Sequence, residues 1–232
     1  MNAREFARSM RAAADFVERI GLLEVASNLT SLEPSAEFFQ AAVSGDYSYR
    51  ELYQIGLHNL DYNILLCDLS YLQFHYSTAS APFGVRYAFY PNPFDFTPFE
   101  EFVSEFGLDG APNAYEDYLS FLADERESTK IPTVRYDLAF RDYHELVHPT
   151  AHFHLGLHTD NRWPVKRVLS PYVFTLLITK MFFGQKWRER GKSRDETELN
   201  TFDVELSRER DRCQPLSVDF FSEREERQFH FS

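Results

Sequence analysis

Two segments in the second half of the chain alternate between apolar and polar residues. The first, Val134–Phe140, reads VRYDLAF, and the second, Ala151–His158, reads AHFHLGLH. A period of two is typical of a β-strand that packs one face on a core, because successive side chains of a strand point to opposite faces. The two segments therefore predict amphipathic strands, and the connection between them is long enough for antiparallel pairing.

Five of the eight histidines lie in or just before the second of these strands. In the strand, the histidines share one face with Gly156, while Phe153, Leu155 and Leu157 form the opposite, apolar face. Antiparallel pairing would bring the polar faces of both strands together, with Glu145 and His148 in the connection. The predicted polar face comprises Arg135, Asp137, Arg141, His152, His154 and His158.

This set of residues suits acid–base chemistry on a phosphodiester. Histidine has an unperturbed pKa of about 6.5, so a pair of histidines can act as general acid and base near neutral pH. On this hypothesis, His152 and His154 are the acid and the base. Arg135 stabilises the phosphate charge, Asp137 orients an imidazole, and His148 closes the site. The protein would then be a metal-free nuclease or phosphodiesterase.

The same face also suits a metal ion. Two or three histidines with a carboxylate form a good donor set for Zn²⁺ or Mn²⁺, and a metal-bound water would then be the nucleophile. For this alternative the predicted ligands are His152, His154 and His158, with Asp137. The sequence has no HExxH, CxxC, P-loop or GxSxG signature. A third interpretation is therefore that the histidines are polar residues on a solvated sheet face.

Charge is unevenly distributed along the chain. The formal net charge is −12, which argues against binding nucleic acid over the whole surface. Between Arg162 and Arg194, however, nine residues are basic and one, Glu189, is acidic. This basic segment predicts an anion-binding surface, or else a segment that pairs with acidic groups of this chain or of a partner. The predicted substrate-binding residues are Arg141, Arg162, Lys166 and Arg167.

Helical patterns flank the strands. Apolar residues recur with a helical period near the N-terminus, Ser48 and Glu51 have the spacing of a capping box, and Ser170-Pro171 is a typical helix start. The predicted helices include Ala3–Leu23, Glu33–Ala42, Tyr49–His58 and Ser170–Arg190, and further strands are predicted at Tyr62–Ser77 and Val85–Tyr90. The predicted fold is α+β: a mainly antiparallel sheet with a helical N-terminal region and a long helix after the histidine-rich strand.

The chain has no internal repeat and no evident linker, so we predict one domain over residues 1–232. Within it, residues 1–60 form a helical N-terminal part, 61–190 the sheet with helices, and 191–232 a charged C-terminal tail. The N-terminus lacks the apolar stretch of a secretory signal, and the longest apolar run is too short for a bilayer. With two isolated cysteines, these features predict a cytoplasmic protein without membrane association.

The region from Val134 to Phe183 resembles the DUF2290 family of uncharacterised bacterial proteins. The resemblance rests on an HPxxHxHxG motif and on residues before and after it. These residues are Arg135, Asp137, His148, Pro149, His152, His154, Gly156, Pro164, Val165, Leu169, Ser170, Pro171 and Phe174.

The resemblance brings no settled activity. The HPxxHxH core is similar to histidine motifs of some small prokaryotic toxins thought to act on RNA, which implies a nuclease-like role in a toxin–antitoxin or phage-defence system. The alternative is a non-catalytic accessory subunit that binds a protein encoded in the same operon. The missing catalytic signatures, the acidic composition and the charged run Glu223–Arg227 favour this second hypothesis.

Overall fold

An antiparallel sheet organises the protein. The computed structural model describes residues 1–79, 82–94, 97, 99–123, 132–157, 160–193, 199–228 and 230–231. Within these ranges, seven strands follow one another across the sheet in chain order, and all neighbours are antiparallel. The strands are β1 (Leu23–Ala26), β2 (Ile64–Leu66), β3 (Tyr71–Ser77), β4 (Gly84–Tyr90), β5 (Val134–Ala139), β6 (Ala151–Leu155) and β7 (Trp163–Pro164).

Helices lie before, between and after the strands. The α-helices of the described ranges are α1 (Ala3–Arg19), α2 (Ala36–Ser44), α3 (Tyr49–His58), α4 (Phe99–Phe106), α5 (Ala114–Ala123), α6 (Pro171–Phe182), α7 (Gly184–Arg190), α8 (Thr201–Arg212) and α9 (Glu223–Glu226). A 3-10 helix, Phe140–Asp142, follows β5. None of the helices in these ranges has the length and apolar character needed to cross a membrane.

One face of the sheet carries the larger core. Alternate apolar residues of β2 to β6 pack against α1, α6, α7 and α8. At its centre, the Tyr87 ring lies 5.5 Å from that of Tyr136 and 5.7 Å from that of Phe174 in α6. Burial of these large apolar groups is the main favourable contribution to folding, and it fixes which face of each strand points inward.

The opposite face carries a smaller core that covers part of the sheet. Phe38 of α2 and Leu52 and Tyr53 of α3 pack with residues of β2, β3 and β4, among them Tyr71 and Tyr90. Among the described residues, this cluster contains none from β5 or β6. The helices α2 and α3 therefore pack over β2 to β4, and the polar residues of β5 and β6 on this face lie next to these helices without being covered by the described residues of that cluster.

The α+β prediction and the antiparallel pairing of the two amphipathic strands are confirmed. The capping box of Ser48 and Glu51 is also present. The predicted strand Tyr62–Ser77 is wrong as one element, because a turn divides it into β2 and β3. Leu69 in that turn has a φ of 66°, and the turn lets the chain reverse and pair with itself.

Two further predictions need correction. The long helix after β6 ends at Phe182, since Phe183 has a φ of −118° and a ψ of 41°, and the rings of Phe182 and Phe183 pack on Phe89. The charged segment after Gly191 contains α8, whose apolar residues Phe202 and Leu206 join the larger core. Two buried apolar residues are therefore enough to pack this otherwise charged helix against the larger core.

We expect Gly56→Ala in α3 to lower the free energy of unfolding by about 1–3 kcal/mol, the usual cost of overpacking. An added Cβ would overlap Tyr71 Oη and lie 2.8 Å from Phe38 Cε2. Gly184→Ala is the matched control, because its Cβ would meet the flexible end of Arg188 at 3.3 Å. Urea unfolding of both variants tests this, and equal stabilities would contradict the packing of α3 on the sheet.

Candidate active site

The polar residues of the sheet form straight rows across neighbouring strands. His75 of β3 is opposite Arg86 of β4, Arg86 is opposite Asp137 of β5, and Asp137 is opposite His152 of β6. The next row along the strands comprises Gln73, Ala88, Arg135 and His154. Because residues two apart in a strand share a face, both rows lie on the face that carries α2 and α3.

Asp137 lies at the centre of these rows, held by two arginines. Arg86 Nε donates to Asp137 Oδ1 at 3.0 Å, and Arg135 Nε donates to Asp137 Oδ2 at 2.8 Å. Burial alone would raise the pKa of this carboxyl group, but Arg86 and Arg135 together hold the pKa below its usual value. Asp137 is therefore an anion at neutral pH, and it neutralises one of the two cations beside it.

His152 and His154 contact each other directly, with their Nε2 atoms 3.0 Å apart. Both residues are buried, with 2% and 6% of their surface exposed, so the interpretation of these histidines as groups on a solvated face is wrong. His154 Nε2 is also 3.6 Å from Asp137 Oδ2. The three residues therefore form one continuous polar cluster.

Hydrogen bonding defines the proton positions in this pair. His152 Nδ1 lies 2.9 Å from the carbonyl oxygen of Pro149, and since a carbonyl only accepts, Nδ1 carries the proton. Burial lowers the pKa of His152 to about 4, so this ring is neutral at pH 7. Its Nε2 is then an acceptor, and His154 donates to it from Nε2.

The turn between β5 and β6 brings a third histidine to the cluster. The His148 ring lies 5.1 Å from that of His152 in an edge-to-face arrangement. His148 Nδ1 is buried and has no hydrogen-bond partner among the described residues. A buried imidazole nitrogen without a partner is costly in a protein interior, so this atom is a candidate contact for a ligand.

Glu225 of α9 holds this turn in place. Its carboxylate is buried and accepts hydrogen bonds from Tyr143 Oη at 2.9 Å and Leu146 N at 3.3 Å. Leu146 has a φ of 64°, an uncommon conformation for a residue with a side chain. The C-terminal segment thus stabilises the strained turn that positions His148.

The cluster opens into a cavity of about 450 Å³. Its lining includes His75, Arg86, Arg135, Asp137, His148, His152, His154 and Arg162. Arg162 Nε is buried and has no partner in the described part of the chain, although its Nη1 donates to the carbonyl of Asp160. The lining also includes Asp142, so the cavity combines three guanidinium groups, several imidazoles and two carboxylates.

A larger cavity of about 800 Å³ lies between α1 and the end of α8. Its described lining residues include Cys213 but no histidine, and burial raises the pKa of that thiol, which leaves it a poor nucleophile. We therefore locate the candidate active site at the smaller cavity on the sheet.

The structure brings together six of the predicted site residues. Around the cavity lie Arg135, Asp137, His148, His152, His154 and Arg162. His158, predicted as a metal ligand, and Arg194, the end of the basic segment, lie outside the described residues.

The other three predicted substrate-binding residues have different surroundings. Arg141 lies in the 3-10 helix and is exposed, because β5 ends at Ala139 and the alternation stops there. Lys166 forms an ion pair with Glu226 at 2.6 Å. Arg167 donates to the carbonyl of Cys213 at 2.9 Å. Of the four predicted substrate-binding residues, Arg162 is the one beside the histidines.

Four residues of the site were not predicted as site residues. Arg86, His75 and Asp142 line the cavity, and Glu225 holds the His148 turn. Arg86 alternates with Val85 and Tyr87 in the same way as Asp137 alternates with its neighbours, so the strand pattern contained a signal for it. Glu225 had no comparable signal, because its role depends on a contact between segments far apart in sequence.

Asp137, His152 and His154 could together hold a metal ion. Each offers one ligand atom, and these atoms lie within 4.8 Å of one another. Histidine nitrogens with a carboxylate oxygen suit several divalent metals. The neighbouring arginines oppose such binding, because a cation at this position would lie beside two positive charges.

Fold and site together define an α+β protein in which a histidine, arginine and aspartate cluster lies on one face of an antiparallel sheet. The chain belongs to the DUF2290 family, described as an uncharacterised conserved protein, whose family model matches residues 26–232. Searches of curated proteins and of solved structures gave no significant match.

We expect the free energy of unfolding to fall as the pH is lowered from about 6.5 toward 4. The pKa of His152 is about 4 in the folded protein and about 6.5 in an unfolded chain. In this window the unfolded chain binds a proton at His152 that the folded chain does not. The contribution of neutral His152 to the free energy of unfolding is therefore fully present above the window and is lost as the pH falls through it. The loss should be at most about 3 kcal/mol.

Urea unfolding at several pH values measures this slope. The variant His152→Asn should flatten it, whereas His58→Asn, at an exposed position that ends α3, should leave it unchanged. Equal slopes for wild type and His152→Asn would show that His152 is not the group responsible.

Proposed function

We propose that the protein is a phosphodiester hydrolase that cleaves RNA at the cavity around Asp137, His152 and His154. The observation that carries this proposal is the direct contact of the two imidazoles, 3.0 Å apart, in a cavity lined by three arginines. Such a combination offers both proton transfer and charge stabilisation to a phosphodiester. A prokaryotic toxin–antitoxin or phage-defence system is the setting we propose for this activity.

The charge of the cavity supports a phosphate as ligand. Asp137 neutralises one of the charges of Arg86 and Arg135, so this group of three retains a positive charge. Arg162 and Asp142 of the same lining offset each other in formal charge, so the cavity as a whole stays cationic. Guanidinium groups match phosphate oxygens in geometry as well as charge. The Nε atom of Arg162 and Nδ1 of His148 are buried without partners in the described chain and are suited to donate to such oxygens.

The imidazole pair supplies the proton transfers. In RNA the 2′-hydroxyl can attack the adjacent phosphorus while the bond to the 5′-oxygen breaks, which gives a 2′,3′-cyclic phosphate and a 5′-hydroxyl end. Water then opens the cyclic phosphate to a 3′-phosphate, which completes the hydrolysis. One imidazole accepts the proton of the 2′-hydroxyl and a second gives a proton to the 5′-oxygen. Binding of an anionic phosphate would raise the pKa of the neutral His152 ring and so favour proton uptake. DNA lacks this internal nucleophile, so RNA is the favoured substrate.

We expect His152→Ala and His154→Ala each to lower RNA cleavage by about 10²–10⁴-fold, the usual contribution of a general acid or base. The assay follows cleavage of a single-stranded RNA and identifies its ends. Circular dichroism and thermal unfolding confirm that each variant is folded. His58→Ala, exposed at the end of α3, is the control and should retain wild-type turnover.

Full turnover in the folded double variant His152→Ala/His154→Ala would refute the assignment of these residues. Absence of cleavage by the wild type itself, on RNA and other phosphodiesters, would refute the hydrolase and favour a non-catalytic accessory subunit. In that case, native mass spectrometry with co-expressed operon neighbours should reveal a stable complex that survives both histidine substitutions.

A metal-dependent hydrolase is the second candidate, because three donor atoms converge within 4.8 Å. Zn²⁺ or Mn²⁺ bound by Asp137, His152 and His154 would supply a hydroxide nucleophile and would not require a 2′-hydroxyl. The two arginines on Asp137 favour the metal-free reaction. The two candidates differ in their dependence on metal and in their action on DNA.

We expect dialysis of untagged protein against EDTA to leave RNA cleavage unchanged within about twofold, because the proposed acid–base pair needs no metal. Elemental analysis of the same protein before dialysis measures bound Zn and Mn. One equivalent of metal, with activity lost on chelation and restored by the metal, would instead establish the second candidate.

A further inference from the structure

A second cleft adjoins the candidate active site. It has a volume of about 390 Å³ and shares Arg135, His154 and Arg162 with the cavity around Asp137. The two clefts therefore lie on either side of the same group of cations and imidazole. A ligand held at these three residues could extend into both clefts at once.

The walls of the second cleft come from the helical layer and the sheet. Val43 and Gly45, at the end of α2, face Leu157, which follows β6. Gly45 has a φ of 72°, and a Cβ added there would meet no atom within 4 Å, so the cleft is open on this side. Thr133 and Asp160 add polar groups to the lining.

Size and lining together suit a nucleoside. A volume of about 390 Å³ lies in the range of small-molecule sites, which combine apolar walls with a few polar groups. A nucleobase has the same two requirements, since it offers flat apolar faces and a polar edge. A ribose attached to a phosphate at Arg135 and Arg162 would lead directly into this cleft.

We infer that the second cleft binds a nucleoside next to the scissile phosphate, so that the substrate is a single-stranded oligoribonucleotide rather than a mononucleotide. This inference rests on the proposed function for the position of the phosphate. The inference adds a substrate-binding site to the proposed active site. Residues of α2, a helix far from the histidine-rich strand in sequence, form one wall of this site.

Val43 provides a test that spares the proposed catalytic residues. Its side chain is 66% exposed on α2, and Val43→Glu would place a negative charge at the cleft. Val204→Glu is the matched control, because Val204 is 53% exposed on α8, a helix of the opposite sheet face. Both variants carry the same added charge on an exposed helix position, so they differ only in location.

Binding is measured by fluorescence anisotropy with a labelled 2′-O-methyl RNA of about ten nucleotides. The methyl group blocks the proposed internal nucleophile, so binding is separated from cleavage. Turnover is measured with uridine 3′-(4-nitrophenyl phosphate), which carries one nucleoside. We expect Val43→Glu to weaken oligonucleotide binding by about tenfold, within the range for loss of a single base contact, and Val204→Glu to change it by less than about twofold.

Equal binding by the two variants would overturn this inference and leave the proposed function intact, provided that the uridine ester is cleaved. Oligonucleotide binding that depends on Val43 in a protein that cleaves no phosphodiester would support the cleft and refute the hydrolase. Cleavage of the ester by a wild-type protein that does not bind the oligonucleotide would overturn the inference alone.

Discussion

The candidate site depends on one interaction, the contact of the Asp137 carboxylate with Arg86 and Arg135. These three residues lie on two neighbouring strands, and the two hydrogen bonds at 3.0 and 2.8 Å occupy both carboxylate oxygens. A buried charge without such partners would be strongly destabilising. The pairing of β4 with β5 therefore has to keep Arg86 opposite Asp137, and the same register places His152 and His154 on the next strand within reach of the carboxylate.

The larger core offsets the cost of burying this polar cluster, because it packs against the opposite face of the same strands. Tyr136 lies between Arg135 and Asp137 in sequence, is fully buried, and donates from its hydroxyl group to the carbonyl of Arg167. A shift of one residue in β5 would exchange these faces and bury the charges in the apolar core. The aromatic core on the other face of β4 to β6 thus fixes the register that the site requires. The buried carboxylate of Glu225 stabilises the turn that contains His148.

The sequence was informative where a local pattern decides the structure. The alternation in β5 and β6 predicted both strands, their shared face and the convergence of Asp137 with His152 and His154. It did not predict that Arg86 would complete the cluster, because a local pattern does not show which strand pairs with the other edge of β5. Burial of the histidines was also missed, since it depends on how the turn residues His148 and Pro149 contact His152, which the alternation does not specify. Arg141 was misplaced for a local reason: β5 ends at Ala139, one residue before the predicted end of the strand, and the alternation does not continue to Arg141.

The charge of the cavity and of the surrounding surface determines which ligands the site favours. The chain carries a formal net charge of −12, so an extended polyanion is repelled by most of its surface. The cavity is an exception, because three arginines outnumber the two aspartates of its lining, Asp137 and Asp142, and Lys166 is already paired with Glu226. A cationic cavity in an acidic protein favours an anion that is small or narrow enough to enter it over a surface-bound duplex. A single strand bound as proposed would satisfy this condition, because its phosphate would reach the arginines while a neighbouring base would occupy the second cleft, which α2 lines.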